Sequence, residues 1–231
     1  MTLMNKDRLI VALDFDSAEK AKQMVDELGD SVVFYKVGLE LLGTGDYFHF
    51  IDWLIKQNKK IFADLKFYDI PATVAAGVKQ ISKYGVSYLT VHGDKQIMQA
   101  ATDAKSNKLK VLAVTVLTSL DNNDIRAMGY QLSLTDLVEL KVQQAISSNV
   151  DGVICSTQEV ATIKENHGSK LIAITPGIRL ANDESHDQKR VATPSFAISN
   201  GANHIVVGRS ITASEQPRAV AEKIQNSISS L

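Results

Sequence analysis

The amino-acid sequence predicts an α/β protein, a (β/α)8 TIM barrel that forms a single domain over residues 1–231. Eight short apolar runs recur along the chain, and amphipathic segments with apolar residues three and four positions apart lie between them. One strand-plus-helix unit therefore takes about 29 of the 231 residues, close to the size of a βα repeat. No linker, low-complexity tract or change in composition marks a domain boundary.

The strand candidates are apolar on both faces, as expected of parallel strands that are buried on both sides. The first four are Leu9–Asp14 (LIVALD), Val32–Val37 (VVFYKV), Lys60–Leu65 (KIFADL) and Val86–His92 (VSYLTVH). The last four are Val111–Val116 (VLAVTV), Gly152–Cys155 (GVIC), Leu171–Thr175 (LIAIT) and His204–Gly208 (HIVVG).

Helical spacing of apolar residues is clearest in three of the intervening segments, Ala18–Leu28, Ala72–Lys83 and Ala219–Ile228. An open, doubly wound sheet is the structural alternative. Such a sheet would be expected to carry a glycine-rich phosphate-binding turn after an early strand. The segment LDFDSAEK, which follows the first strand, contains no glycine, and the barrel is therefore preferred.

Composition and charge exclude several classes of protein. The hydrophobic fraction of 45% argues against a disordered chain, and the net charge of −1 argues against a nucleic-acid-binding protein. No apolar run approaches the roughly 18 residues that a membrane span requires. The first residues lack the pattern of a secretory signal, and the single cysteine, Cys155, excludes an internal disulfide. We expect a soluble cytoplasmic protein.

Charged residues fall at the ends of the first three predicted strands, where a barrel of this type carries its catalytic groups. The first strand ends at Asp14, the second passes through Lys36, and the third runs into Asp64, Lys66 and Asp69. Because side chains alternate along a strand, Asp64 and Lys66 share one face.

Both of these side chains point to the barrel mouth if Phe62 points into the barrel. An isolated ion pair at a strand end would have little significance. Charges at three successive strand ends are more informative, because the barrel brings those ends together. Lys36, Asp64, Lys66 and Asp69 sum to zero charge, so every member of the set can stay ionised. They predict a preorganised electrostatic site that contains a proton donor.

The loops after strands seven and eight predict a phosphate site, as these loops frequently do in barrel enzymes. Arg179 follows strand seven, and Gly208 and Arg209 follow strand eight. Glycine allows backbone N–H groups to approach an oxyanion, a helix N-terminus adds positive potential, and arginine supplies a forked donor. The mostly polar segment Gly177–Arg190, with Gln188 near its far end, is either a lid over the substrate or a surface insertion.

The remaining candidates for chemistry are weaker. The five histidines show no paired metal-ligand spacing, and His92 is expected to be a hydrogen-bonded structural residue. Cys155 lies on a buried strand, where cysteine behaves as a small hydrophobic residue. A cation beside Asp14 would compete with Lys36 and Lys66. The sequence therefore predicts chemistry with no metal and no cofactor.

Six segments together resemble the bacterial orotidine 5′-phosphate decarboxylase family. They are ALD at 12–14, KVGLEL at 36–41, DLKFYDIP at 64–71, VTVLTS at 114–119, TPGIR at 175–179 and VVGRSIT at 206–212. The pattern D-x-K-x-x-D alone is shared with related phosphate-sugar barrels, but the full set is far more discriminating. The resemblance covers essentially the whole chain in the right order and spacing, without departure at the motif positions.

The resemblance implies decarboxylation of orotidine 5′-monophosphate (OMP) to UMP and CO₂, the last step of de novo pyrimidine synthesis, in a cofactor-free homodimer. Lys66 would donate a proton to C6 of the pyrimidine, and Asp64 would lie beside the departing CO₂. The other implied contacts are Asp14 and Lys36 to the ribose, Thr118 to the pyrimidine, Gln188 to base and phosphate, and Arg179, Gly208 and Arg209 to the phosphate. Asp69 and Thr73 would reach across the dimer into the partner's site.

Two alternatives differ from this function. A related decarboxylase or aldolase would act on a sugar phosphate through a magnesium-held enediolate. It needs a carboxylate at the second strand, where this chain has Lys36. A non-catalytic phosphate-binding barrel would have no need for an acid between carboxylates, and the intact set Asp64, Lys66 and Asp69 argues against it.

Overall fold

Eight parallel strands close into a barrel in which each strand pairs with its neighbours in the chain and the eighth pairs with the first. The computed structural model describes residues 5–180 and 192–229. The strands are β1 Leu9–Ala12, β2 Phe34–Gly38, β3 Lys60–Phe67, β4 Tyr88–His92, β5 Lys110–Val114, β6 Gly152–Ile154, β7 Ile172–Thr175 and β8 His204–Val207. The predicted (β/α)8 barrel is confirmed.

Helices follow every strand in the described part of the chain. They are α1 Ala18–Leu28, α2 Leu39–Gly43, α3 Tyr47–Lys56, α4 Pro71–Ile81, α5 Lys95–Ala104, α6 Asn122–Ala127, α7 Leu134–Ser147, α8 Thr157–His167, α9 Pro194–Ser199, α10 Arg209–Thr212 and α11 Pro217–Ile228. One helix after each strand would give eight helices, whereas the described residues form eleven. The short helices α2, α6 and α10 each precede a longer helix in the same connection, and none is long enough to show a clear helical period.

The bounds of α1 agree with the prediction, whereas several strands end earlier than their apolar runs. Strand β1 ends at Ala12 and β5 at Val114, although Leu13 and Val116 beyond them are also buried. A buried residue need not take part in strand pairing, so hydrophobicity alone overestimates strand length. Asp14 consequently lies in the loop after β1 rather than on the strand.

Two hydrophobic layers hold the barrel and its helices together. The larger one lies between the strands and the helices and includes Ala63 and Leu65 of β3. The smaller one fills the barrel interior and consists of Ile10, Ala12, Phe34, Phe62, Tyr88, Leu112, Ile174 and Val206. Phe62 therefore points inward, as the assignment of strand faces required. Asp64 and Lys66, two and four residues further on, lie on that same face of β3.

The amino end of the barrel interior is closed by a buried histidine. His204 Nδ1 lies 2.7 Å from the carbonyl oxygen of Asp7, and Nε2 lies 2.9 Å from the hydroxyl of Tyr88. A carbonyl can only accept, so Nδ1 carries the hydrogen and Nε2 accepts from Tyr88. Burial dominates and lowers the pKa of His204 to about 4. The imidazole is thus neutral at physiological pH, and its two hydrogen bonds hold the amino end of the barrel together.

Acidification should destabilise the protein through His204. Its pKa falls from 6.5 in the unfolded chain to about 4 in the folded one, so unfolding takes up a proton between these values. The contribution of the neutral His204 to the free energy of unfolding is fully present above pH 6.5. It is lost as the pH falls towards 4, and the total loss is about 3 kcal/mol. The check is urea unfolding of wild type and His204→Phe/Tyr88→Phe across this range. Identical slopes of stability against pH in the two proteins would contradict the assignment.

Candidate active site

A cavity of about 720 Å³ opens at the carboxyl ends of the strands. Its lining combines charged groups from the β1–β3 side, apolar side chains from the barrel interior, and arginines after β7 and β8. The lining residues are Ala12, Asp14, Lys36, Glu40, Phe62, Asp64, Lys66, Val114, Val116, Leu117, Thr118, Ser119, Ile154, Pro176, Gly177, Arg179, Val206, Gly208, Arg209 and Thr212. Eight of the eleven predicted site residues are therefore in one cavity.

Four charged side chains form a continuous chain of ion pairs on one wall of this cavity. Lys36 Nζ lies 2.8 Å from Asp14 Oδ1 and 3.6 Å from Asp64 Oδ2. Lys66 Nζ lies 2.8 Å from the same Asp64 Oδ2. Positive and negative groups alternate along the row, in which Asp14 rather than Asp69 accompanies Lys36, Asp64 and Lys66. Asp64 is the junction, because one of its oxygens contacts both ammonium groups.

The two central members of the row remain charged in spite of their burial. Desolvation alone would raise the pKa of Asp64, but Lys36, Lys66 and hydrogen bonds from Lys66 and Thr90 outweigh it and lower that pKa. Desolvation likewise favours the neutral amine of Lys36, yet Asp64 and Asp14 raise the pKa of this lysine above its ordinary value. The site therefore holds fixed opposite charges at neutral pH, which suits a reaction in which charge develops on the substrate.

The backbone of β2 makes room for these charges. A Cβ atom at Gly38 would lie 3.4 Å from Lys36 Nζ and 3.6 Å from Asp14 Oδ1. A Cβ at this position would be in van der Waals contact with both members of the ion pair, so glycine keeps the space beside Asp14 and Lys36 open. Glu40 of α2 lines the cavity just beyond. Sequence reasoning overlooked both Gly38 and Glu40, although both lie within the segment KVGLEL, which the family resemblance had already singled out.

Two arginines line the part of the cavity wall that follows β7 and β8, where the phosphate site is predicted. Arg179 follows the sharp turn at Gly177, whose φ of +75° is a conformation that glycine adopts without steric cost. Arg209 follows Gly208 directly after β8. Helix α10 is a single turn of four residues, so the positive potential expected there from a helix N-terminus is small. The guanidinium groups are the main positive charges of this wall.

The other three predicted site residues lie elsewhere. Asp69 and Thr73 are exposed, at the end of the β3–α4 loop and in the first turn of α4, and neither lines the cavity. Gln188 lies outside the described residues, as does the whole of the predicted lid segment from 181 to 190. The chain on the two sides of these residues is joined by a backbone hydrogen bond, in which the Arg179 N–H donates to the Ala192 carbonyl at 2.9 Å.

Three further expectations concern the role of His92, a metal site and membrane-spanning helices. The His92 ring packs against the ring of Tyr68, with 4.8 Å between centroids. The described residues show no hydrogen bond of the His92 side chain, so its expected hydrogen-bonded role stays a prediction. In residues 5–180 and 192–229, no three His, Cys, Asp or Glu side chains are placed to hold a metal ion. None of the helices described combines the length and apolarity needed to cross a bilayer.

Comparison with known proteins places the whole barrel in one family. The family model described as orotidine 5′-phosphate decarboxylase / HUMPS matches residues 7–224. The orotidine 5′-phosphate decarboxylase of Methylococcus capsulatus is 47% identical over 96% of this chain and 92% of the relative. That of Rhodopseudomonas palustris strain HaA2 is 46% identical over 95% of this chain and 94% of the relative.

A solved structure agrees with these relatives. The crystal structure of orotidine 5′-phosphate decarboxylase from Lactobacillus acidophilus superposes with a TM-score of 0.84 at 38% identity and covers 95% of this chain and 98% of that one. The enzyme from Pyrococcus horikoshii, at 21% identity and a TM-score of 0.78, shares the fold. The chain belongs to the orotidine 5′-phosphate decarboxylase / HUMPS family.

Proposed function

We propose that this protein decarboxylates OMP to UMP and CO₂, the last step of de novo pyrimidine synthesis. Family membership supports this reaction, and one structural observation indicates which residues of this chain would perform it. The Lys66 ammonium lies 2.8 Å from the Asp64 carboxylate inside a cavity that two arginines also line. The cavity thus combines a proton donor and a fixed negative charge with arginines that can bind a phosphate.

The chemistry requires stabilisation of a carbanion. When the bond from C6 to the carboxylate breaks, the electron pair stays on C6, and no adjacent carbonyl is positioned to delocalise it. Enzymes lower barriers by about 8–23 kcal/mol, and this reaction needs the upper part of that range. Lys66 stabilises the developing negative charge and then donates an Nζ proton to C6. The resulting neutral amine regains its proton from solvent after UMP leaves.

Asp64 acts on the carboxylate that departs. Its pKa is lowered, so it remains an anion beside the substrate's own carboxylate. The repulsion between them is relieved as neutral CO₂ forms, which favours the transition state over the bound substrate. Lys36 holds Asp64 at 3.6 Å and Asp14 at 2.8 Å, and thereby keeps the row of charges in order.

The remaining contacts are those that the sequence resemblance implies, and all of the residues concerned except Gln188 line the cavity. We assign Asp14 and Lys36 to the ribose hydroxyls and Thr118, buried after β5, to the pyrimidine. Arg179, Gly208 and Arg209, which follow β7 and β8, bind the phosphate. Gln188 is assigned to base and phosphate from the sequence resemblance alone. Binding energy from the distant phosphate helps to organise the charges around C6.

The proposed assembly is a homodimer in which Asp69 and Thr73 complete the partner's site. Exposed apolar side chains in the segments after three of the strands support an interface, because large exposed apolar groups commonly mark protein contacts. They follow the carboxyl ends of β2, β3 and β5: Leu39, Leu42, Tyr68, Ile70, Leu117, Met128, Tyr130 and Leu132. A cytoplasmic location stays an expectation.

A magnesium-dependent reaction on a sugar phosphate is the alternative that the wider family makes relevant. It is disfavoured because Lys36, whose pKa is raised, places a positive charge beside Asp14 and Asp64. A divalent cation would have to displace this ammonium group.

The deciding experiment is an assay of purified protein with OMP, followed by the loss of absorbance, with and without EDTA. We expect turnover that chelation leaves unchanged. Turnover lost with EDTA and restored by Mg²⁺ would indicate the metal-dependent alternative. Binding of UMP without turnover of OMP would indicate a phosphate-binding barrel that has no decarboxylase activity.

Replacing Arg209 by alanine should raise KM for OMP by roughly 10- to 100-fold, because a charge-assisted hydrogen bond contributes about 1.5–3 kcal/mol. The loss should be much smaller with orotidine, which has no phosphate. Arg218→Ala is the matched control, since Arg218 pairs with Glu222 on the surface of α11. Equal losses of kcat/KM on the two substrates would refute the phosphate role of Arg209.

A further inference from the structure

We infer that Thr90 is a positioning residue that holds Asp64 and Lys66 in their reactive arrangement through its hydroxyl group. This inference rests on the proposed decarboxylase function and extends it to a residue that does not line the cavity. Thr90 is an inward-facing residue of β4 with no exposed surface. Its hydroxyl contacts both of the residues placed at the reacting end of the site.

Strand pairing between β3 and β4 is interrupted at this point. Ala63 pairs with Leu89, and the next pair is Phe67 with Val91. Three residues of β3, numbers 64 to 66, therefore face the single residue Thr90 of β4. An interrupted ladder leaves backbone groups without strand partners, and such groups need other hydrogen bonds when they are buried.

The interruption coincides with an unusual backbone conformation at Lys66. Its φ is +46°, and the other non-glycine residues with positive φ in the described chain are Asn58 and Asn149. Asparagine adopts this region readily, whereas lysine does so at a steric cost. Strain of this kind persists only where the surrounding contacts hold it. Lys66 therefore needs a local contact that keeps its backbone in place.

The Thr90 hydroxyl supplies that contact and a second one. It accepts a hydrogen bond from the Lys66 N–H at 3.0 Å and donates one to Asp64 Oδ1 at 2.9 Å. The other oxygen of Asp64 accepts from Lys66 Nζ at 2.8 Å. Backbone, hydroxyl, carboxylate and ammonium thus form a closed ring. The position requires a group that can donate and accept hydrogen bonds at the same time. Valine has the same shape as threonine but has no such group.

The ring fixes the direction in which each charge points. With Oδ1 held by Thr90, Asp64 presents Oδ2 to Lys66 and Lys36. The hydrogen bond from the Lys66 N–H to Thr90 keeps the Lys66 backbone at its positive φ, and this conformation directs the side chain into the cavity. A displacement of about 1 Å at a reacting group can cost roughly 100-fold in rate. Thr90 should consequently affect kcat more than substrate binding.

The experiment compares Thr90→Val, which keeps the shape, with Thr90→Ser, which keeps the hydroxyl. We expect Thr90→Val to lower kcat by roughly 10- to 100-fold while KM and the Kd of UMP change less than about threefold. Thr90→Ser should stay within about threefold of wild type. Exchange of the Lys66 amide with deuterium should be faster in Thr90→Val than in wild type, whether or not the protein turns over OMP.

Thr102→Val is the matched control, because Thr102 donates from α5 to the Ser148 carbonyl at 3.0 Å, away from the cavity. Its kcat should equal that of wild type. If Thr90→Val fails to fold, Thr90→Ala takes its place with the same expected loss. An unchanged kcat without the hydroxyl, or equal losses in the valine and serine variants, would overturn the inference. Wild type that is inactive on OMP would instead refute the proposed function, and the amide exchange would still test the ring.

Discussion

Replacing Lys66 by alanine should lower kcat on OMP by at least about 10³-fold, because a positioned proton donor alone contributes roughly 10²- to 10⁴-fold and this ammonium also stabilises the carbanion. Binding of UMP should stay measurable, since the phosphate and ribose contacts come from other residues. Single-turnover kinetics with OMP and titration with UMP separate the two effects.

Lys60→Ala is the matched control for this variant. Lys60 begins the same strand at the opposite end of the barrel, where it pairs with Asp7 at 2.8 Å. It should retain wild-type kcat, apart from a modest loss of stability. If Lys66→Ala kept a tenth of the wild-type kcat, Lys66 would not be the proton donor.

A mixture of two inactive variants, Lys66→Ala and Asp69→Ala, should regain activity when their subunits exchange. Asp69 is exposed, and its carboxylate accepts from the N–H of Ile70 at 2.6 Å just before α4 begins at Pro71. In this position it lies outside its own subunit's cavity. In the proposed homodimer, the loss of activity expected in Asp69→Ala would therefore arise in the partner's site.

The arithmetic of the mixture is definite. In an isologous dimer each heterodimer has one site that carries both substitutions and one that carries neither. Random exchange at equal concentrations makes half of the dimers heterodimers, so about a quarter of wild-type activity should return. Native mass spectrometry checks the exchange. Confirmed heterodimers without recovered activity would show that Asp69 acts in its own subunit or has another role.

Much of the fold follows from patterns that are local in the chain. Strands apolar on both faces, such as β5, alternate with amphipathic helices such as α1, and this alternation is a property of neighbouring residues. The ends of elements were less predictable. Hydrophobicity continues past β1 and β5 into buried loop residues, whereas a strand ends where its partner strand diverges.

Some features of the candidate site were likewise predictable from local rules, and others were not. Asp64 and Lys66 could be placed on one face of β3 because alternation along a strand is a local rule. That Asp14 and Lys36 would join them required only that a barrel gathers the carboxyl ends of its strands. The interruption between β3 and β4 was not predictable, since residues 64 to 66 show no glycine or other sign of it.

By itself, the sequence determined the barrel, the charged residues at its mouth and the family to which the motifs belong. Only the tertiary structure decided which atoms of those residues meet. Asp64 Oδ1 contacts a hydroxyl 26 residues away on β4, through a register that skips two residues. Pairing between strands depends on how all eight close into one barrel, so the role of Thr90 is a property of the folded chain.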